Sequence, residues 1–351
     1  MIRIRKRTIP IVVAVTLVAI AVVAAVLLRR RAAPEPARLL PEADGYIYVN
    51  LKPLRIAGVI GKNVPVSDDV GYEEFVRATG FVFERDLDEA AFAVHAPRRL
   101  GDSDDHPDGT GTLHRRFSEI FTGRFDSNRM AAYLRKIAKT ADTYRDVTVY
   151  DIPLQGRTVR VALLGAGIAA VSNTDGPAVI RGMIDRYKQI ALPFGGPGLV
   201  REYYPHVSFA SLAWGITRVN ENGEIGGTLL PGGFGLFLPG GTVLVGSARY
   251  TGSVQFRAEA FTRGPEQAKR ITEQTQAFLA IFRGVESSLS PQGPDPDVKA
   301  FFDSLKVEQH DKRAVLTATA PPGFLKKTFS GPPTSEVTGA EPTTNPAAKR
   351  K

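Results

Sequence analysis

An acidic stretch after residue 100 holds the densest group of side chains that could bind a metal. It reads GDSDDHPDGTGT, and its potential ligands are Asp102, Asp104, Asp105, His106 and Asp108. Carboxylates are the oxygen ligands that Ca²⁺ prefers. With Asp104 at position 1 of a helix-loop-helix calcium loop, however, Arg115 falls at position 12, where a bidentate glutamate is required. We therefore interpret the stretch as a solvated loop and predict no metal site.

The other groups that could do chemistry also lack a recognised spacing. The chain has no cysteine, and no two of its five histidines are four residues apart, so no zinc motif is present. His95 lies among small residues, which is typical of a half-buried histidine. Neither G-x-S-x-G nor S-x-x-K occurs at a strand-to-helix turn, and no glycine-rich loop carries the phosphate-binding lysine. The sequence predicts no catalytic residue and no cofactor, although a hydrolase with an unrecognised site stays as the alternative.

The stretch NENGEIGGTLLPGGFGLFLPGG, at 220–241, mixes many glycines with leucine and phenylalanine. One interpretation is an apolar flap that contacts lipid, a hydrophobic ligand or a partner. The other is a glycine-bent hairpin whose apolar side chains pack on a sheet, which is the usual arrangement and the one we favour. The candidate contact residues of this region are Trp214, Leu230, Phe234 and Phe237, and Trp214 also fits a core position.

An apolar run from Ile9 to Leu28 precedes everything else and predicts a transmembrane helix. Twenty residues at 1.5 Å each give about 30 Å, which matches the hydrocarbon thickness of a bilayer. A cleavable signal peptide would have a shorter apolar core followed by small residues, whereas Arg29, Arg30 and Arg31 follow this run directly. We therefore expect an uncleaved single-pass anchor that contacts the lipid bilayer through Ile9 to Leu28.

The flanking charges distinguish the two orientations of this anchor only weakly, because four basic side chains precede the span and three follow it. A first hydrophobic segment with a short basic head normally leaves that head in the cytoplasm. We accordingly predict a cytoplasmic head at 1–8 and an exported body, anchored in the inner membrane of a bacterium. A body that faces the cytoplasm, held there by Arg29 to Arg31, is the alternative. The absence of cysteine is compatible with an oxidising compartment.

The net charge of +9 belongs mainly to the anchor. Residues 1–38 hold eight basic side chains and one acidic side chain, which gives +7, whereas 39–329 and 330–351 carry +1 each. A nucleic-acid-binding domain would need a basic excess on one face of the body. We therefore predict no nucleic-acid partner.

The sequence of the body predicts an α+β fold of antiparallel sheets with helices packed on one face. Strands come in runs joined by short turns, as in DGYIYVNLKPL, where Ile47 and Val49 alternate with Tyr46 and Tyr48. We expect a linker at 29–41, α+β units at 42–192 and 193–329, and a disordered tail at 330–351. The stretches IFTGRFDSNRMAAYLRKIA, with a helix capped by Ser127, and VQFRAEAFTRGPEQAKRITEQTQAF both pass from strand to helix, which suggests an internal duplication.

Four stretches, LLPEADGYIYVNLKPLR, TGFVFERDLDEAAFAVH, GRFDSNRMAAYLRK and YRDVTVYDIP, resemble a loose class of uncharacterised bacterial proteins. That class tethers an exported α+β body by one N-terminal helix. The resemblance covers mainly residues 39–190 and implies export and fold, without implying any active-site residue. Together with the anchor and the near-neutral body, it leads us to expect a non-enzymatic envelope protein that binds a protein partner or an apolar ligand, or acts as a scaffold.

Overall fold

A computed structural model describes residues 32–56, 70–95, 116–154, 156–189, 195–220, 238–289 and 296–324, with the backbone alone at 70 and 282–289. The strands are β1 (Gly45–Asn50), β2 (Leu87–His95), β3 (Arg116–Gly123), β4 (Thr140–Tyr144), β5 (Val147–Leu154), β6 (Arg157–Gly165), β7 (Ile168–Ser172), β8 (Ala213–Arg218), β9 (Val243–Tyr250), β10 (Val254–Phe261), β11 (Lys306–His310) and β12 (Arg313–Ala320). The helices are α1 (Glu35–Leu39), α2 (Lys52–Ile56), α3 (Val70–Thr79), α4 (Phe83–Asp86), α5 (Ser127–Ile137), α6 (Ala178–Lys188), α7 (Gly198–Tyr203), a 3₁₀ turn (Tyr204–His206), α8 (Pro265–Leu289) and α9 (Pro296–Ser304).

The described strands form one twelve-stranded antiparallel sheet in the order β11-β12-β10-β9-β8-β1-β2-β3-β7-β6-β5-β4. The α+β class with a large antiparallel sheet is therefore confirmed. The pairing of β1 with β8 makes the sheet continuous across the two units expected from the sequence. We call the end where β1 ends and β2, β8 and β10 begin the lower end of the sheet, and the opposite end the upper end.

One surface of the sheet, which we name the Tyr48 face, carries the larger of the described cores. Tyr46 and Tyr48 of β1 stand opposite Ile216 and Trp214 of β8 and are almost completely buried. Small residues on the other side of β1, such as Ala91 and Ala93, leave room for these rings. Helices α1, α6 and α7 cover this face, and the buried side chains of α6 are Ile180, Met183 and Ile184.

The opposite surface, the Phe92 face, is covered by different helices. Phe92 and Ala90 of β2 pack with Phe121 of β3 and with Met130 and Leu134 of α5. Near the edge of the sheet formed by β11, α8 packs on β11 and β12. The expectation of helices on one face was therefore wrong, and the reason is visible in β2, where both alternating sets of side chains are apolar, so both faces need cover.

The segment predicted as a linker contains α1. Pro36 lies in the first turn of this helix, where a missing N–H costs no hydrogen bond. Ala37, Leu39 and Leu40 are fully buried against the Tyr48 face, so the folded body begins earlier than expected. The helix α5 is capped by Asp126 rather than Ser127, because Asp126 Oδ1 accepts hydrogen bonds from the backbone N–H groups of the first turn.

None of the described helices is both long enough and apolar enough to cross a membrane. The transmembrane helix predicted at 9–28 and the tail predicted at 330–351 lie outside the described residues, as does the acidic stretch at 102–108.

Replacing Ile216 by alanine tests the importance of the β1–β8 junction. Ile216 is fully buried on the Tyr48 face, so Ile216→Ala should lower the free energy of unfolding by about 2–5 kcal/mol. Ile281→Ala, at a side chain that is 68% exposed, is the matched control and should change it by less than about 0.5 kcal/mol. Urea unfolding of the full chain in detergent micelles, followed by the emission of its single tryptophan, measures both. Equal effects of the two substitutions would contradict the central role of this junction.

Candidate functional site

The Phe92 face contains an apolar trough between the region packed by α5 and the region packed by α8. Strand register aligns its floor, because Ile47 of β1 stands opposite both Phe92 of β2 and Gly215 of β8. Gly215 in turn stands opposite Gly246, and Gly246 opposite Ala258. These five residues form a row that runs across five neighbouring strands.

The floor is open above its small residues. A Cβ atom added to Gly246 would meet no heavy atom within 4 Å. Ala258 is exposed although it lies in the middle of a strand with partners on both sides. Helix α8 meets β10 at Ala260, where Ile271 packs, and leaves the two positions below it on this face, Ala258 and Phe256, exposed. A side chain or a ligand could therefore lie directly on the sheet here.

Glu119 of β3 adds one carboxylate to the trough. It stands opposite Phe92 on one side and Val171 on the other, so both neighbours in its row are apolar. Burial raises the pKa of Glu119 to about 7. No described residue donates a hydrogen bond to this carboxylate or forms an ion pair with it. A half-buried carboxyl group without a partner is suited to accept a hydrogen bond from a basic group that enters the trough.

The Tyr48 face contains a polar cluster that resembles part of a hydrolase site. His95 Nε2 lies 3.1 Å from Ser118 Oγ, which in turn lies 3.3 Å from Ser172 Oγ. Burial lowers the pKa of His95, partly opposed by the negative charge of Asp44. Both serines are fully buried and already share hydrogen bonds, so neither hydroxyl can reach a substrate in this structure. The cluster is best explained as a way to satisfy polar groups inside the sheet.

Trp214 is buried on the Tyr48 face and is 3% exposed. Its ring stacks on Tyr48 with centroids 5.5 Å apart and meets Tyr204 edge-on at 5.4 Å. The structure therefore places it away from the trough, on the other side of the sheet. The other predicted contact residues, Leu230, Phe234 and Phe237, lie outside the described residues.

Two clefts of about 390 and 500 Å³ open at the upper end of the sheet. In each cleft, one charged side chain already has a partner within the chain. In the first, Glu42 accepts hydrogen bonds from the backbone N–H of Gly198. In the second, Arg313 pairs with the buried Glu259 at 2.9 Å. We therefore regard the trough, with its unpaired carboxylate, as the stronger candidate site.

Sequence reasoning missed the trough, although one signal was present. Glu119 lies two residues before Phe121 in the predicted strand EIFTGRFD and therefore shares the apolar face of that strand. A carboxylate in line with buried phenylalanines marks a buried or functional charge. Gly215 and Gly246 gave no signal of this kind, because their alignment depends on the register of distant strands.

Neither a protein-family model nor a curated protein sequence matches the chain. Among solved structures, three crystal forms of TP0453 are similar to it. Form I has 12% identity and a TM-score of 0.40, covering 86% of this chain and 98% of that chain. Form IV has 12% identity and a TM-score of 0.42 over 85% and 98%, and form III has 8% and 0.41 over 85% and 99%. The likeness is distant, and no residue or role is carried over from it.

Glu119 should make the stability of the body depend on pH. The unfolded chain loses this proton near pH 4.5 and the folded chain near pH 7, so the contribution of Glu119 to stability is full below pH 4.5 and is lost as the pH rises to about 7. We expect Glu119→Gln to stabilise the chain by roughly 2–3 kcal/mol at about pH 8 and by much less at about pH 4, measured by urea unfolding.

The control for this measurement is Glu308→Gln, because the Glu308 side chain is 65% exposed on the edge strand β11. It should leave the pH dependence of unfolding unchanged. If Glu119→Gln behaves like this control at both pH values, the carboxyl group of Glu119 is not buried as described.

Proposed function

We propose that this chain is a membrane-anchored, non-enzymatic envelope protein whose exported body binds an apolar ligand, or an apolar protein segment, that carries a basic group. The observation that carries the proposal is the open trough on the Phe92 face, with the unpaired carboxylate of Glu119 one strand beyond its floor row. The anchor would be the span from Ile9 to Leu28, in the inner membrane of a bacterium, with the body in the periplasm or outside the cell.

The dimensions of the trough suit an extended apolar group. Its floor from Ala258 to Phe92 crosses four inter-strand spacings of about 4.8 Å, which gives about 20 Å. An alkyl chain or an extended peptide segment could lie along this length and cover apolar surface that is exposed at Ala258 and half-buried at the other four residues. Glu119 lies one strand beyond Phe92, so a basic group at one end of such a ligand would reach its carboxylate.

The strand order supports the internal duplication suggested by the sequence. In the first half, β1, β2 and β3 are followed by α5, and the last strand, β7, returns to pair with β3. In the second half, β8, β9 and β10 are followed by α8, and β12 returns to pair with β10. The corresponding helices α5 and α8 then flank the junction of the two halves, and the trough lies between them.

For the alternative of an envelope hydrolase, the described residues contain no accessible serine that is hydrogen-bonded to a histidine. Ser118 forms a hydrogen bond with His95, and it is completely buried. The described residues also contain no group of three or more side chains suited to hold a metal ion. Binding is the function that the described side chains support better.

The topology of the anchor can be tested with a reporter fused after Lys351. A reporter that is active only outside the cytoplasm should be active in this fusion, and a reporter active only inside the cytoplasm should be silent at the same position. The reason is that the basic head is expected to stay in the cytoplasm while the long C-terminal part crosses the membrane. The reverse pattern, at equal expression, would assign the body to the cytoplasm.

Ligand binding can be tested with a photoreactive long-chain alkyl amine added to the full chain in lipid vesicles. Mass spectrometry should locate the label on β8, β9 and β10, and unlabelled alkyl amine should compete for it. Glu119→Gln should weaken this competition about tenfold or more, because a hydrogen bond to a charged group contributes roughly 1.5–3 kcal/mol. Gly246→Leu should abolish labelling, because its side chain would fill the space above the floor.

The control probe is the corresponding long-chain alcohol, which has the same apolar tail and no positive charge. It should label the same strands more weakly and be insensitive to Glu119→Gln. Labelling by the amine that is unaffected by both substitutions would overturn the trough as the binding site. Labelling that depends on Gly246 but not on Glu119 would overturn the role of the carboxylate.

A further inference from the structure

The described chain enters the body near the lower end of the sheet. Helix α1 packs on β2 and β3 and runs from Glu35, its first residue, towards the upper end, where Glu42 and β1 follow. Burial raises the pKa of Glu89 in the lower part of β2, and the charge of Glu35 acts in the same direction, which places the start of α1 near this part of the sheet. Whatever precedes α1 therefore leaves the body close to its lower end.

The chain between the predicted span and α1 is short. Six residues, 29–34, separate Leu28 from Glu35, and the seven steps from Leu28 to Glu35 cover at most about 25 Å when the chain is fully extended. If Ile9 to Leu28 spans the bilayer, the start of α1 must lie within this distance of the membrane surface. The lower end is the part of the body that this tether brings closest to the lipid.

Exposed large apolar side chains gather at the same end. Eight such side chains occur among the described residues, and five of them belong to segments that begin or end at the lower end, namely Ile56, Phe83, Phe209, Tyr250 and Phe256. Phe209 is 67% exposed and Ile56 is 80% exposed. Two more, Phe278 and Ile281, lie on the second half of α8, which descends from the upper end. Leu154 alone marks the upper end.

Exposed basic side chains lie beside the apolar side chains of the lower end. Arg85 and Arg124 expose 62% and 65% of their side chains there, and Lys52 and Arg249 are also exposed. Two of the nearby carboxylates are less accessible, because Asp86 is buried beside Arg85, and Asp88, which is 23% exposed, pairs with Arg55 at 2.8 Å. The carboxylates of Glu35 and Asp126 are exposed at the same end. Basic side chains beside exposed aromatic rings are typical of surfaces that rest at the headgroup level of a bilayer.

We propose that the lower end of the sheet is a membrane-contact surface, and that the body rests on the anionic leaflet from which its anchor emerges. The inference rests on the proposed anchor and extends it, since a tether alone would keep the lower end near the lipid without holding it in contact. Phe209 and Tyr250 would lie among the lipid headgroups, and the clefts at the upper end would face away from the membrane.

The absence of cysteine allows single labelling sites to be introduced cleanly. The experiment uses three full-length variants, Phe209→Cys, Tyr250→Cys and, as the upper-end control, Leu154→Cys, whose side chain is 56% exposed. Each carries an environment-sensitive fluorophore and is reconstituted into vesicles of phosphatidylethanolamine and phosphatidylglycerol, with or without a lipid-bound quencher. Trp214 emission, recorded before labelling, checks that each variant retains the fold.

The labels at residues 209 and 250 should shift their emission to the blue and lose intensity when the quencher is present, whereas the label at residue 154 should do neither. Equal signals at all three positions, from chains that float with the vesicles, would overturn the contact surface and leave the anchor intact. Chains that do not float with the vesicles would overturn the anchor, and the contact surface with it. Signals at residues 209 and 250 that are the same in phosphatidylcholine vesicles would overturn the preference for an anionic leaflet.

Discussion

The pairing of β1 with β8 is the constraint on which the rest of the structure depends. It joins two strands that are more than 160 residues apart and turns two runs of antiparallel strands into one sheet. Tyr46 and Tyr48 face Ile216 and Trp214 across this junction, and their rings provide the apolar mass that the covering helices pack against. Helices α1 and α7 pack next to this junction, on β2, β3 and β8, and α6 continues the cover over β6 and β7.

The two sides of the junction are built differently, and the trough is the consequence. On the Tyr48 face the junction carries large aromatic side chains, whereas on the Phe92 face Gly215 and Gly246 leave the backbone bare. Glycine in a strand interior weakens the strand, because it has no side chain to pack and loses more backbone freedom on folding. The Tyr48 face offsets this loss through the stacking of Tyr48 on Trp214. The packing of the Tyr48 face therefore contributes stability that the glycines of the open floor do not supply.

The elements with strong local patterns could be predicted from the sequence, and those set by distant neighbours could not. The alternation in β1 and the helical spacing of α5 were sufficient to find both. Helix α1 was missed because Pro34 and Pro36 indicate extended chain, and only the burial of Ala37, Leu39 and Leu40 stabilises so short a helix. The position of Glu119 in an apolar row depends on its register with β2 and β7, and register is a tertiary property that one sequence does not reveal.

Glu119 connects the stability of the body to its proposed binding function. A carboxylate that loses its hydration without gaining a partner destabilises the folded state, and the raised pKa of Glu119 is the measure of that loss. A basic group in the trough would provide the missing partner and favour the ionised carboxylate. Ligand binding would therefore stabilise the folded state and offset part of the destabilisation caused by burial. The same side chain therefore lowers the stability of the empty body and raises its affinity for a ligand of matching charge. A neutral residue at this position would give a more stable sheet that discriminates less between basic and neutral ligands.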